Sequence, residues 1–69
     1  MSECYVLVEV NLLRVNPRSI IVTGADGVEV IVGRSCVHSA DERQLDNLQT
    51  PQEVELRVFE WLARKENLL

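Results

Sequence analysis

The chain has 69 residues, 46% of them apolar and 26% charged, and its 11 acidic against 7 basic side chains leave a formal net charge of −4. That length sets a single small domain over residues 1–69, since a fold this short hides only about 60% of the surface its unfolded chain exposes, and the apolar share excludes a disordered chain. The charge has the wrong sign for general attraction to a nucleic-acid backbone, and most of it lies after Ser39, where seven carboxylates face four basic groups.

Only Tyr5, Phe59 and Trp61 are aromatic, so the core has to be built from Val, Leu and Ile. Branching at Cβ favours strands, because such side chains pack well on a pleated surface. The opening stretch MSECYVLVEVNLL lacks a basic segment, and Glu9 and Asn11 interrupt its apolar run. It reads as neither a signal peptide nor a membrane span, so a cytoplasmic location with reduced thiols is expected. Cys4 and Cys36 do not make a disulfide framework. Free, mostly buried thiols follow.

Along the chain, Val6, Val8, Val10 and Leu12 alternate with Leu7, Glu9, Asn11 and Leu13, the period-two signature of a strand. Asn16-Pro17 ends it. A second strand is predicted from Ser19 to Thr23 and a third from Val28 to about Val37, joined by GADG, whose Asp26-Gly27 supplies the positive φ of a tight turn. With a two- or four-residue loop, Ile21 and Thr23 share a face with Val28, Val30 and Val32, and Ile20, Val22 and Ile31 take the other. Both faces then carry apolar residues, so both are expected to be covered, by curling of the sheet, by a helix or by a second subunit.

The polar run from His38 to Gln52 carries two helix-start signals. Ser39 reads as an N-cap with Glu42 reaching back, and TPQE places Pro51 at a first helical position. One reading runs a single helix from Pro51 to the end, with Glu53–Arg57 and Glu60–Arg64 as i,i+4 pairs. The other takes the alternation of Val54, Leu56 and Val58 as a strand. FEWLARKENLL is helical on both, with Phe59, Leu62 and Ala63 in one apolar stripe and Trp61 and Leu68 on a different side.

Little here assembles into a catalyst. Cys36, His38 and Asp41 contain the elements of a nucleophile, base and orienter, but neighbours on one strand seldom converge as a triad requires. Cys4, Cys36 and His38 lack the spacing of a zinc site, and GADG lacks the glycines and lysine of a phosphate loop. No catalytic residue, metal or cofactor is assigned. Partner binding falls instead on Arg34, Ser35, Trp61 and Leu68. Arg34 offers a paired donor fork, and Arg14 and Arg18 flank the first turn, where they can join it in one basic spot. The ordinary reading of Arg34 is a solvated strand end. Trp61 is either a core residue covering one end of the sheet or a binding anchor.

Two stretches, Asp26, Gly27, Glu29, Val30, Arg34, Ser35 and Glu60, Trp61, Leu62, Ala63, Lys65, Leu68, resemble a loose group of small phage-encoded proteins of unknown function. That group's pattern is D-G-x-E-V continuing through W, an aliphatic residue, P, K or R and S, then E-W-L-A, a basic residue and a terminal leucine. Ile31 stands here in place of the pattern's tryptophan and Gly33 in place of its proline, so roles tied to that tryptophan do not transfer. The resemblance implies a fourth strand over Glu53–Val58, a helix over Phe59–Leu68, and a phage or prophage origin.

The fold class expected is thus α+β, with three to four antiparallel strands in a twisted sheet or partly closed barrel and a C-terminal helix. The function expected is non-catalytic protein–protein binding by a phage accessory protein, with a host or phage protein as partner. A homodimer is also expected, and no membrane contact. Two alternatives are an inhibitor of a host defence system acting through an acidic, nucleic-acid-like surface, and a nucleic-acid-binding β module. The second is disfavoured by charge and by the absence of stacking aromatics on the strands.

Overall fold

In the computed structural model, which describes residues 4–68, four antiparallel strands form one open sheet with a short helix at the C-terminal end. The strands are β1 (Tyr5–Val15), β2 (Ser19–Thr23), β3 (Glu29–Gly33) and β4 (Gln52–Phe59), in spatial order β3-β2-β1-β4. Helix α1 (Ser39–Glu42) lies in the long connection between β3 and β4, and α2 (Glu60–Lys65) follows β4 directly. The fold is α+β. Of the two sheet geometries the sequence allows, the open one is formed.

The alternation in β1 and β4 is used as the pleat demands. Val6, Val8 and Val10 pair with Val58, Leu56 and Val54 on one face, while Tyr5, Leu7, Glu9 and Asn11 pair with Phe59, Arg57, Glu55 and Glu53 on the other. Strand β4 therefore replaces the first half of the long helix that TPQE signals. Arg57 meets Asp41 instead of Glu53, whereas Glu60 and Arg64 do form their helical pair at 2.9 Å.

The hairpin faces are the reverse of those expected. Thr23 pairs with Glu29, so the loop holds five residues, and Ile20 and Val22 face Val32 and Val30. An odd loop shifts the register by one residue, which moves every side chain to the opposite face. Ile20, Val22, Val30 and Val32 are buried together, and Ile21 and Ile31 lie on the outer side. Within the loop, Gly27 takes φ +76° and the Asp26 carboxylate accepts the Val28 N–H at 3.1 Å.

Strand β3 stops at Gly33, earlier than the alternation suggests. Arg34–Cys36 form a 3-10 turn, and Val37 then bridges to Val58 on the far edge of β4. Four residues of chain reach at most about 14 Å, so the sheet bends until its two edges approach at this corner. A bulge in β1 between Leu12 and Arg14, opposite Val22 and Ile21, adds to the bend.

The inner face is covered by the β3–β4 connection and by α2. Val37, Leu45, Leu62, Ala63 and Leu68 close over the strand residues, and Leu12, Ile20, Leu45 and Ala63 have no exposed surface. Helix α1 is capped by His38, whose Nδ1 accepts the Ala40 N–H, and not by Ser39. Helix α2 ends with Asn67 at φ 57°, the Leu68 N–H on the Ala63 carbonyl at 2.8 Å and the Asn67 N–H on Arg64 at 3.3 Å. This left-handed stop satisfies two orphan carbonyls and turns Leu68 inward.

Candidate functional site

Among the described residues, no layer covers the outer face of the sheet. At one end, Tyr5 on β1, Phe59 on β4 and Trp61 on α2 form an aromatic cluster, with Leu7 two residues along β1 on the same face and Arg57 across from it. The rings of Tyr5 and Phe59 lie 4.9 Å apart, and those of Phe59 and Trp61 stack at 6.1 Å. Tyr5 is 41% exposed, Leu7 58% and Trp61 50%, so the patch is open to solvent in the single chain. The fold places it there because β4 runs straight into α2, and Trp61 points away from the side that buries Leu62 and Ala63.

Beside the patch lies an acidic band. Glu9 stands directly across from Glu55, and Glu53 across from Asn11. Like charges directly opposed on neighbouring strands repel, and no basic group among the described residues forms a salt bridge with these three carboxylates. A second apolar group, Ile21 and Ile31, sits beyond the band at the β2–β3 side, where Ile31 is 72% exposed.

The four residues assigned to partner binding separate. Arg34 is not a solvated strand end, and its fork does not face a ligand. Its Nε and one terminal nitrogen hold Glu42 at 2.9 and 2.8 Å, the other terminal nitrogen donates to the Asn16 carbonyl at 3.1 Å, and the fork grips Asp46 at 3.0 and 3.1 Å. All three of its nitrogens are engaged, and the side chain is 12% exposed. Arg34 thus ties the β1–β2 turn to α1 and to the 3-10 turn Leu45–Asn47. Its pairing with Asp46 pulls that carboxyl below its ordinary value, and the same contact raises the guanidinium. Arg14 and Arg18 make no salt bridge among the described residues and are exposed. Leu68 is a core residue packed against Gly24. Ser35 is exposed next to Arg34, and Trp61 belongs to the open patch.

A shallow depression of about 380 Å³ is lined by Tyr5, Arg34, Ser35, Val37, His38, Ser39 and Glu42. The elements of a triad do not meet in it. Asp41 accepts from the Arg57 backbone N–H at 2.9 Å and from its guanidinium at 3.0 and 3.4 Å. Those bonds, the side-chain pair foremost, hold the Asp41 carboxyl below its ordinary value. His38 commits Nδ1 to the α1 cap and packs its ring edge-on against Tyr5 at 4.9 Å. Cys36 lies in the 3-10 turn, not on a strand shared with His38, and is half-buried, while Cys4 is exposed, contrary to the expectation of mostly buried thiols. Among the described residues, no three His, Cys, Asp or Glu side chains gather as metal ligands, and no helix is long and apolar enough to cross a membrane.

Compared with protein-family models, with curated proteins and with solved structures, the chain matches none.

Proposed function

We propose that this chain is a non-catalytic binding module that docks a protein partner on the outer face of its sheet, as an accessory protein of the phage type that its sequence resembles. The observation that carries this reading is the asymmetry of the sheet. One face is sealed by buried apolar residues contributed by the sheet and its cover, fourteen among the described residues, and the other leaves Tyr5, Leu7 and Trp61 exposed. An aromatic cluster beside charged residues is the composition from which interface hot spots are drawn. The unpaired Glu9, Glu53 and Glu55 supply charge selectivity and favour a partner with basic groups next to an apolar ridge.

The same band favours one second reading, an inhibitor of a defence protein that presents carboxylates where nucleic acid would bind. A nucleic-acid-binding role fits the face least, because a phosphate backbone would meet carboxylates there.

The test is capture from bacterial lysate on immobilised wild-type chain and on a Leu7→Glu/Trp61→Ala variant with an unchanged circular dichroism spectrum. The wild type is expected to retain a discrete protein that the variant loses by at least about tenfold, the loss expected when hot-spot contacts are removed. Equal retention by both, or retention by neither, contradicts the reading. Elution of that protein by added duplex DNA singles out the second reading.

A further inference from the structure

The two edges of the sheet are treated differently. On β4, the His38 N–H donates to the Arg57 carbonyl at 2.7 Å, Asp41 accepts the Arg57 N–H at 2.9 Å, and Val37 bridges to Val58. Farther along β4 the side chains are Glu53 and Glu55. Covering groups and charge are the usual devices that stop an edge from recruiting another strand. Strand β3 has no covering group among the described residues, and its single charge, Glu29, stands at its first position. Among the described residues it pairs only with β2, it carries no proline or lysine, and it presents Ile31 with 72% of its surface exposed.

Hydrogen-bond parity identifies which groups of β3 are free. The Arg34 N–H donates to the Arg18 carbonyl at 3.0 Å, in the same register that pairs Ile20 with Val32 and Val22 with Val30. In an antiparallel ladder, bonded and non-bonded pairs alternate. Val30 and Val32 therefore exchange bonds with β2, and the N–H and C=O of Glu29, Ile31 and Gly33 point outward.

We propose that this edge is the dimer interface, and that two copies join β3 to β3 antiparallel about a two-fold axis through Ile31. The register is self-complementary. Ile31 exchanges both bonds with its counterpart, and Glu29 exchanges both with Gly33 of the other copy, so every outward group of the strand finds a partner. Val30 opposite Val32 continues the buried face across the junction, the two Ile31 side chains meet on the outer face, and no like charges are opposed. Centring the axis on Glu29 would oppose two carboxylates, and centring it on Gly33 runs into the 3-10 turn. The result is one eight-stranded sheet, an isologous assembly, with the Tyr5–Trp61 patches left free at its two ends.

Light scattering and sedimentation over a concentration series test this. The wild type is expected at twice the 7.9 kDa chain mass. Ile31→Lys and Ile31→Pro are expected at the single-chain mass with unchanged secondary structure, because the Ile31 N–H serves only the outer edge and proline is tolerated there. A wild type that stays at the single-chain mass at millimolar concentration overturns the proposal, as do folded variants that remain dimeric. Amide exchange of wild-type Ile31 gives an independent reading that needs no variant. It slows as concentration rises in the edge-paired dimer, and fast exchange at every concentration contradicts it. Neither result bears on capture by the Tyr5–Trp61 patch, which lies on other strands.

Discussion

Asn67 shows how one backbone angle sets the fate of a side chain. Its left-handed φ of 57° closes α2 and sends Leu68 into the core. An L residue with Cβ meets steric opposition in that region, and asparagine and glycine tolerate it best. Asn67→Ala is expected to lower the unfolding free energy by about 1 kcal/mol, and Asn67→Gly to leave it equal or higher, in urea titrations at neutral pH. Leu68 reads from sequence, with Trp61, as a second apolar side of the helix. The turn that folds it back was invisible because nothing local distinguishes Asn67 at a helix stop from asparagine in a last helical turn.

Asp41 carries a pH dependence of known sign. Its carboxyl titrates below the ordinary 3.8 because it accepts hydrogen bonds from Arg57. A depressed folded-state value stabilises the protein fully above the unfolded value, and that contribution disappears as pH falls through the folded one. Wild-type stability is therefore expected to decline below about pH 4, with Asp46, lowered by Arg34, adding to the slope. Asp41→Asn is expected to be less stable at neutral pH and to show a shallower acid decline. Equal slopes in urea midpoints measured from pH 2.5 to 7 would show that the Arg57 contact does not form. Sequence offered Arg57 a helical partner, Glu53, and offered Asp41 a catalytic one; the strand at 52–59 removed the first and supplied the second contact across space.

At the scale of elements, alternation placed β1, the Asn16-Pro17 and Asp26-Gly27 turns bounded β2 and the start of β3, and the stripe of Phe59, Leu62 and Ala63 marked the terminal helix. The inner residues of β1 were legible because apolar positions recur every second residue from Val6 to Leu12. In β4 the alternation of Val54, Leu56 and Val58 spans five positions and competes with the helix that TPQE signals. Two things were not legible. The loop joining β2 to β3 is one residue longer than a tight hairpin loop of four, and parity alone decided which face Ile20 and Val22 occupy. The core role of Leu45 was hidden inside a polar run. Its only local signal is Leu48 three residues on, where both anchor the connection over the sheet. Leu45 has no exposed surface, so Leu45→Ala should cost about 3 kcal/mol by lost burial and the cavity left behind. The circular dichroism signal of the strands is expected to persist at low urea. A loss below about 1 kcal/mol would mean that the connection is not needed to seal the inner face.

For the whole molecule, the candidate site could be only half read. Trp61 was identified by residue type, yet Tyr5, Leu7 and Phe59 became its neighbours only when β1 paired with β4. Arg34 and Leu68 drew attention as exposed recognition groups, and both turned out to hold the fold together. Glu9, Glu53 and Glu55 converge from strands more than forty residues apart in sequence, a juxtaposition that no linear pattern records. On the proposed function, the sealed face carries stability and the bare face carries recognition. Polar substitutions on the bare face, away from the β3 edge, should therefore change binding and leave stability within about 0.5 kcal/mol.

The most direct measurement is a pair of amide correlation spectra of the isotope-labelled chain, alone and saturated with the protein it retains. Shifts are expected at Tyr5, Leu7, Glu9, Glu55, Phe59 and Trp61, with the amides of Val37, Leu45 and Ala63 unmoved. Shifts concentrated at Leu45, Ala63 and the connection, with the bare face unchanged, would contradict the account.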